Sequence, residues 1–200
     1  MAFDIEWKKF YTKNDGNSYP DPEVVRFIAR NFYDEQVRSN INIMEIGCGG
    51  GGTLWYLARE GFNVYGIDAS SEAICKTEKK LNNEKLKANL TVGDFKKLPY
   101  EDNSFNAVLD VTSVQHNDNK SIEEILAEAY RVLKPGGKYF GMMIKDDYKL
   151  SDKSFFTNYL TDTDIKKYFN IFRDIEINST RYTKDNGSKF IEFHIITGSA

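Results

Sequence analysis

Four carboxylates and one histidine carry the chemistry legible in this chain: Glu45, Asp68, Asp94, Asp110 and His116. Each carboxylate closes an apolar, strand-like run. The first also stands two residues before a glycine cluster, Gly47-Cys48-Gly49-Gly50-Gly51-Gly52. Acidic groups at strand tips accept hydrogen bonds from hydroxyl and amino groups and attract cations. A glycine turn beside them adopts positive φ and lets a ligand lie on bare backbone. The helix leaving the turn offers unpaired N–H groups to an anionic part of the same ligand. His116 follows the fourth run and can exchange a proton near neutral pH.

The elements that must position these groups alternate. Ile41 to Ile46 is a strand entering the glycine turn, and Thr53 to Glu60 is a helix leaving it. Asn63 to Ile67 is a second strand, closed by Asp68, and a helix capped by Ser70 or Ser71 runs to about Asn83. Lys87 to Val92 and Phe105 to Val111 are the third and fourth strands, separated by a loop from Lys96 to Ser104. Ser121 with Glu124 predicts a capping box for a helix with an Ile122, Ile125, Leu126, Ala129, Leu133 stripe. Lys134-Pro135-Gly136-Gly137 stops it, and Lys138 to Ile144 is a fifth strand. Residues 145–160 read as loop and Thr161 to Phe169 as a short helix. Asp174 to Tyr182 and Lys189 to Thr197 alternate around Asp185-Asn186-Gly187, which predicts a hairpin. This order is α/β: a Rossmann-like, doubly wound, mostly parallel sheet between two helical layers. Ligands bind such sheets at the carboxyl ends of the strands, near the switch in strand order.

Two helices precede the first strand. Residues 3–12 bring Phe3, Trp7, Phe10 and Tyr11 near one face. Asp21-Pro22 starts the second as N-cap and first helical residue, with Val24, Val25, Phe27, Ile28 and Phe32 on its apolar side. A packing pair is the preferred reading, and a lid over the site is the alternative. The 200 residues fit one domain. Its parts are a cap segment (1–38), a ligand-binding core (40–145) and a further loop, helix and hairpin (146–200). A net charge of −3 gives no general field for nucleic acid. Two cysteines, Cys48 and Cys75, suggest neither a disulfide framework nor a zinc site, so a reducing, cytoplasmic setting is expected. Neither a secretory signal nor a membrane span is expected. Asp110, Asp146 and Asp147 could gather Mg²⁺, but carboxylates are common in such loops and no metal is expected.

The glycines fit two templates. Gly47, Gly49 and Gly52 satisfy the dinucleotide pattern G-x-G-x-x-G, while Gly47, Gly49 and Gly51 satisfy G-x-G-x-G. Glu45 argues against the first, because a carboxylate there repels a pyrophosphate. It favours a ligand carrying ammonium and sulfonium groups. Asp68, roughly 20 residues beyond the turn, is placed to accept from ribose hydroxyls.

Four stretches carry a resemblance, in order: Met44-Glu45-Ile46-Gly47-Cys48-Gly49-Gly50-Gly51; Val64-Tyr65-Gly66-Ile67-Asp68-Ala69-Ser70; Gly93-Asp94-Phe95 through Phe105-Asn106; and Glu128-Ala129-Tyr130-Arg131-Val132-Leu133-Lys134-Pro135-Gly136-Gly137. Over residues 40–145 the chain resembles the class I S-adenosylmethionine (SAM)-dependent methyltransferases of the small-molecule, type 11-like kind. The resemblance implies a seven-stranded sheet with an antiparallel last strand, SAM as cofactor and S-adenosylhomocysteine (SAH) as product. It implies Glu45, Gly47 and Gly49 along the methionine and ribose, Asp68 on the ribose, and Asp94 with Phe95 at the adenine. Cys48, Gly51, Ala69, Asp110 and Val111 complete the candidate cofactor set. Asn106 departs from the aspartate usual there, which touches strand-start packing more than chemistry.

Methyl transfer needs a nucleophile aligned with the S–CH3 bond and, for a hydroxyl, a base. His116 is the candidate base, with support of the cofactor loop as its other reading; His194, alternating within the last strand, reads as structural. Trp7, Phe10, Tyr11, Tyr19, Met142, Met143 and Tyr148 could line an acceptor pocket or belong to the core. No Asn/Asp-Pro-Pro-Tyr run follows the fourth strand, which argues against amino-methylation of DNA bases. The expected activity is methylation of an oxygen or nitrogen of a small molecule, by a monomer or homodimer. A non-catalytic SAM-binding subunit and a protein or RNA methyltransferase are the alternatives.

Overall fold

The computed structural model describes residues 2–145, 156–184 and 189–200. Its strands are β1 (Asn42–Ile46), β2 (Asn63–Asp68), β3 (Asn89–Val92), β4 (Phe105–Val111), β5 (Leu133–Ile144), β6 (Arg173–Lys184) and β7 (Lys189–Ser199). They form one sheet in the order β3-β2-β1-β4-β5-β7-β6. The first five pair in parallel, and β7 runs antiparallel to both β5 and β6. The strand order reverses between β1 and β4, so the crevice for a ligand opens at their carboxyl ends.

The helices are α1 (Ala2–Lys13), α2 (Pro22–Phe32), α3 (Gly52–Arg59), α4 (Ser71–Asn83), α5 (Asn119–Val132) and α6 (Asp162–Tyr168). Successive strand residues face opposite sides, so each strand feeds two cores. Met44, Ile46, Ile67 and Val108 pack with the stripe of α5 and with Ile165 and Phe169. Ile43, Val64, Ala107 and Leu109 pack on the other side with Leu54, Leu57, Val24, Phe27 and Ile28. The N-terminal helices part company here. α2 sits in the second core, whereas none of the described side chains of α1, residues 5–13, is buried.

Two local expectations are corrected. α5 is capped by Asp118, not Ser121: Asp118 is extended (φ −69°, ψ 164°) and its side chain accepts from Ser121 N. A carboxylate beside the positive helix end is the stronger acceptor, and Ser121 becomes the third helical residue. Lys134-Pro135-Gly136-Gly137 does not precede β5 but forms a bulge within it. The register with β4 shifts between Phe105↔Leu133 and Ala107↔Lys138, and Gly136 takes φ +75°. Asp185-Asn186-Gly187, Asp146, Asp147 and Tyr148 lie outside the described residues. Among the described residues no helix is long and apolar enough to cross a membrane, and no three His, Cys, Asp or Glu side chains gather as a metal site.

Candidate active site

The carboxyl ends of β1, β2 and β4 open into a cavity of about 690 Å³. Glu45, Gly47, Cys48, Gly49 and Gly51 line it from β1 and the glycine turn. Asp68 and Ala69 face it from β2, Asp94 and Phe95 from the turn after β3, and Val111 from the end of β4. His116 closes the side beyond β4. Asp110 does not reach the cavity: its carboxyl is fully buried beneath the floor and accepts from the amides of Ser113 and Val114. Met142 and Met143 also fall outside it. As neighbours on β5 they point into opposite cores.

The glycine turn is fastened to the strands around it. Gly47 N and Cys48 N both donate to Ile67 O, and Thr77 Oγ1 donates to Gly49 O at 2.8 Å. Gly47 takes φ +67°, and a side chain there would meet Ser113 Oγ at 2.1 Å. Asp68 braces the turn as well. Its Oδ2 accepts from Gly49 N at 2.9 Å and its Oδ1 from Ser70 N at 2.8 Å. Burial pushes its carboxyl up, against the pull of those two amides.

Glu45 is the exception in this bonded floor. It is 4 % exposed. Burial holds its carboxyl well above the usual range, a hydrogen bond from Thr53 opposes this, and the charges of Asp68 and Asp110 add to it. Among the described residues its Oε2 has no hydrogen-bond partner. A buried acceptor at a cavity wall calls for a donor from the ligand, and a cationic donor most of all. Cys48 is no nucleophile, because burial and the nearby Asp68 and Glu45 charges push its thiol well up.

The roof comes from the N-terminal segment. Trp7, Phe10 and Tyr11 of α1 line the cavity, with Asn17 and Tyr19 of the turn-rich strap 14–19. α1 is held to α4 by Lys8–Glu72 (3.2 Å), and the strap by Lys76–Asp15 (2.5 Å). The strap runs directly on the glycine turn: a side chain at Gly50 would meet Asp15 O at 2.0 Å, and one at Gly52 would meet Tyr19 O at 2.7 Å. So α1 covers the site, where a packing role was the preferred reading, and α2 alone belongs to the core. The Tyr11 ring and hydroxyl lie over Gly49. Burial, then the charges of Asp68, Cys48 and Glu45, push this phenol up, so it stays a hydroxyl.

His116 packs its ring edge against Trp7, 5.1 Å between centroids. Its Nδ1 lies 2.8 Å from Phe156 O. A carbonyl only accepts, so Nδ1 carries the proton and Nε2 is the basic nitrogen. Burial pulls its pKa down, which keeps the imidazole neutral at pH 7. His194 is structural as expected, its Nε2 held by Leu160 O at 3.1 Å.

A methyltransferase-domain family model matches residues 43–137, from β1 to the bulge of β5. Over those residues the chain is a methyltransferase domain. Norajmaline N-methyltransferase of Rauvolfia serpentina is 34 % identical over 117 residues, covering 57 % of this chain and 39 % of that one. Phosphoethanolamine N-methyltransferase 2 of Caenorhabditis elegans is 31 % identical over 158 residues, 73 % of this chain and 36 % of that one. The chain thus spans well under half the length of these relatives. A solved SAM-dependent methyltransferase from Methanosarcina mazei shares the fold with a TM-score of 0.72 at 23 % identity, over 90 % of this chain and 98 % of that one.

The residues present fit the family's cofactor. Glu45 Oε2 has no hydrogen-bond partner among the described residues, and a SAM ammonium would supply one. Each Asp68 oxygen, with one amide bound, keeps a lone pair for a ribose hydroxyl. Asp68→Ala is expected to weaken SAM binding by about 1–3 kcal/mol and to destabilise the fold too, since two buried amides lose their acceptor. Calorimetry measures the first effect and urea denaturation the second. A variant that loses stability but keeps its SAM affinity would leave Asp68 as a brace alone.

Sequence reasoning missed Thr53, Ser113, Thr112 and Asp21. Asp21 was legible as an N-cap; its place on the cavity was not, nor its bond from Tyr182 Oη at 2.9 Å. The unused signal for the strap was the glycine excess at Gly50 and Gly52.

Proposed function

We propose that this chain moves the methyl group of SAM to an oxygen or nitrogen of a small molecule by in-line displacement. The observation that carries the reading is that Glu45, whose buried Oε2 has no hydrogen-bond partner among the described residues, lines a cavity that His116 shares. SAM supplies an electrophilic methyl group through its sulfonium. Glu45 would take the ammonium, Asp68 the ribose hydroxyls, and Asp94 with Phe95 the adenine. Trp7, Phe10, Tyr11 and the strap exclude water. Neutral His116 can take the proton that the acceptor loses, and its Nδ1 bond to Phe156 O steadies the imidazolium.

The charge around the cavity narrows the acceptor. Among the described lining residues Asp21, Glu45, Asp68, Asp94 and Asp118 oppose one cation, Lys96, which already faces Asp94 at 3.8 Å. This supports a neutral or cationic acceptor with an apolar body for the aromatic wall, rather than a phosphorylated one. A metabolite extract incubated with labelled SAM identifies the product. On that acceptor His116→Ala should lower turnover by roughly 10²–10⁴-fold with little change in SAM affinity. Equal loss of turnover and SAM affinity would make His116 a support of the cofactor loop. SAM binding without turnover on any extract would favour a non-catalytic subunit.

A further inference from the structure

The cavity floor beyond β4 is one short turn, residues 112–116. Thr112 within it takes φ +60°, a left-handed conformation that a β-branched residue avoids. Strain of this kind persists only where surrounding bonds over-determine it. Here Thr112 N donates to Met142 O at 2.9 Å, and Asp110 Oδ1 accepts from Ser113 N at 2.8 Å and from Val114 N at 3.0 Å.

Two site residues hang on that clamp. Ser113 Oγ donates to Gly47 O at 3.1 Å, in the space a Gly47 side chain would fill. His116 N donates to Ser113 O at 3.1 Å. Asp110 itself is 0 % exposed. Among the described residues its Oδ2 makes no hydrogen bond of normal geometry, and neither does the buried hydroxyl of Tyr139 on β5, its electrostatic neighbour. Glu45 on β1 is close enough to feel its charge. The methyl-transfer scheme gives Asp110, Thr112, Ser113 and Tyr139 no part.

We propose that Asp110 is a positioning residue: its buried carboxyl clamps the strained 112–116 turn and so sets where Ser113 meets the glycine turn and where His116 stands. The proposal rests on the reading of the cavity as a methyl-transfer site. Burial pushes the Asp110 carboxyl up to about 7, against the pull of the Val114 and Ser113 amides and the Tyr139 hydroxyl. Ionisation turns both amide bonds into charge-assisted ones and draws the phenol hydrogen toward Oδ2. The turn is therefore tighter above neutral pH than below it.

Nuclear magnetic resonance on the ¹⁵N-labelled chain tests this directly. The Ser113 and Val114 amides should titrate together with a midpoint near 7. The ring proton of His116, one of two histidines, should follow them. Asp110→Asn keeps an oxygen for the amides but stays neutral. It should erase that midpoint and hold the acid-limit shifts at every pH. At about pH 8 it should lower turnover roughly tenfold, on the acceptor the wild type uses, while SAH affinity by calorimetry moves less than about threefold. Tyr139→Phe keeps the charge and loses the phenol, so the midpoint should persist and rise. Amides that do not titrate, an Asn variant with wild-type turnover and pH profile, or SAH affinity falling as far as turnover would each overturn the proposal. If SAH fails to bind the wild type, the methyl-transfer reading falls and the proposal with it; if SAH binds and the amides stay silent, only the proposal falls.

Discussion

Glu45→Gln should raise the stability of the ligand-free protein and cost it most of its affinity for SAM. The two effects share one cause. Burial holds the Glu45 carboxyl above its ordinary range, one of its oxygens has no hydrogen-bond partner among the described residues, and Asp68 and Asp110 stand nearby. A carboxyl with a raised folded pKa contributes stability at low pH and loses it as pH climbs through that pKa. At neutral pH the native state therefore carries a penalty that the unfolded chain escapes. Glutamine has the same shape and no charge. The expected gain is about 1–2 kcal/mol at neutral pH, or roughly 2–8 °C in Tm for a chain of this length. It should shrink toward about pH 4, where the unfolded side chain also takes up its proton. SAM binding moves the other way. Losing a charged hydrogen bond to the ammonium costs about 1.5–3 kcal/mol, roughly 10–150-fold in Kd. Thermal scans at two pH values and one calorimetric titration measure both. A variant whose SAM affinity is intact would place the ammonium elsewhere.

Gly50→Ala should leave the fold standing and unseat its cover. Unlike Gly47, Gly49 and Gly51, Gly50 does not have positive φ, so alanine brings no backbone strain. Its methyl would fall 2.0 Å from Asp15 O and 3.2 Å from Gly16 Cα. Those are backbone atoms of the strap, and only displacing the strap makes room. Neither core contains residues 14–19, so global stability should move by less than about 1 kcal/mol. SAM affinity should fall at least about tenfold as the roof lifts. Limited proteolysis should then cut within residues 14–19 faster than in the wild type. Wild-type affinity and protection together would show that the strap does not cover the ligand.

The parts of the site legible in the chain are those set by strand periodicity. Apolar runs ending in Glu45 and Asp68, and the turn at Asp94, fix which strand tips meet, and all three do face one cavity. Asp110 looked equivalent because it too ends a strand. Pleating decides the side a residue faces, so Val111 lines the cavity while Asp110 turns beneath it. The cap of α5 was ambiguous because Asp118 and Ser121 can both accept from a helix start. Trp7, Phe10 and Tyr11 form a stripe that serves a core or a cavity equally well. What they meet separates the two: Tyr11 lies on Gly49, in a run of bare glycines some 40 residues downstream, and Trp7 lies on His116. Thr112 had no signal at all, since left-handed backbone on threonine is imposed by bonds from elsewhere. Asn106 was read correctly as a strand-start residue: its Oδ1 accepts from Asn42 N at 3.0 Å and Lys134 Nζ at 2.9 Å.

The cover is built from residues that neither core needs. Its described helical side chains are none of them buried; the Lys8–Glu72 ion pair ties its helix to α4, and its strap is tied by the Lys76–Asp15 ion pair and lies on the backbone of a glycine turn. Mutations there escape the constraint that packing imposes on the rest of the chain. On the methyl-transfer reading proposed above, rewriting the first nineteen residues is a route to a different acceptor that leaves the floor of the cavity unaltered.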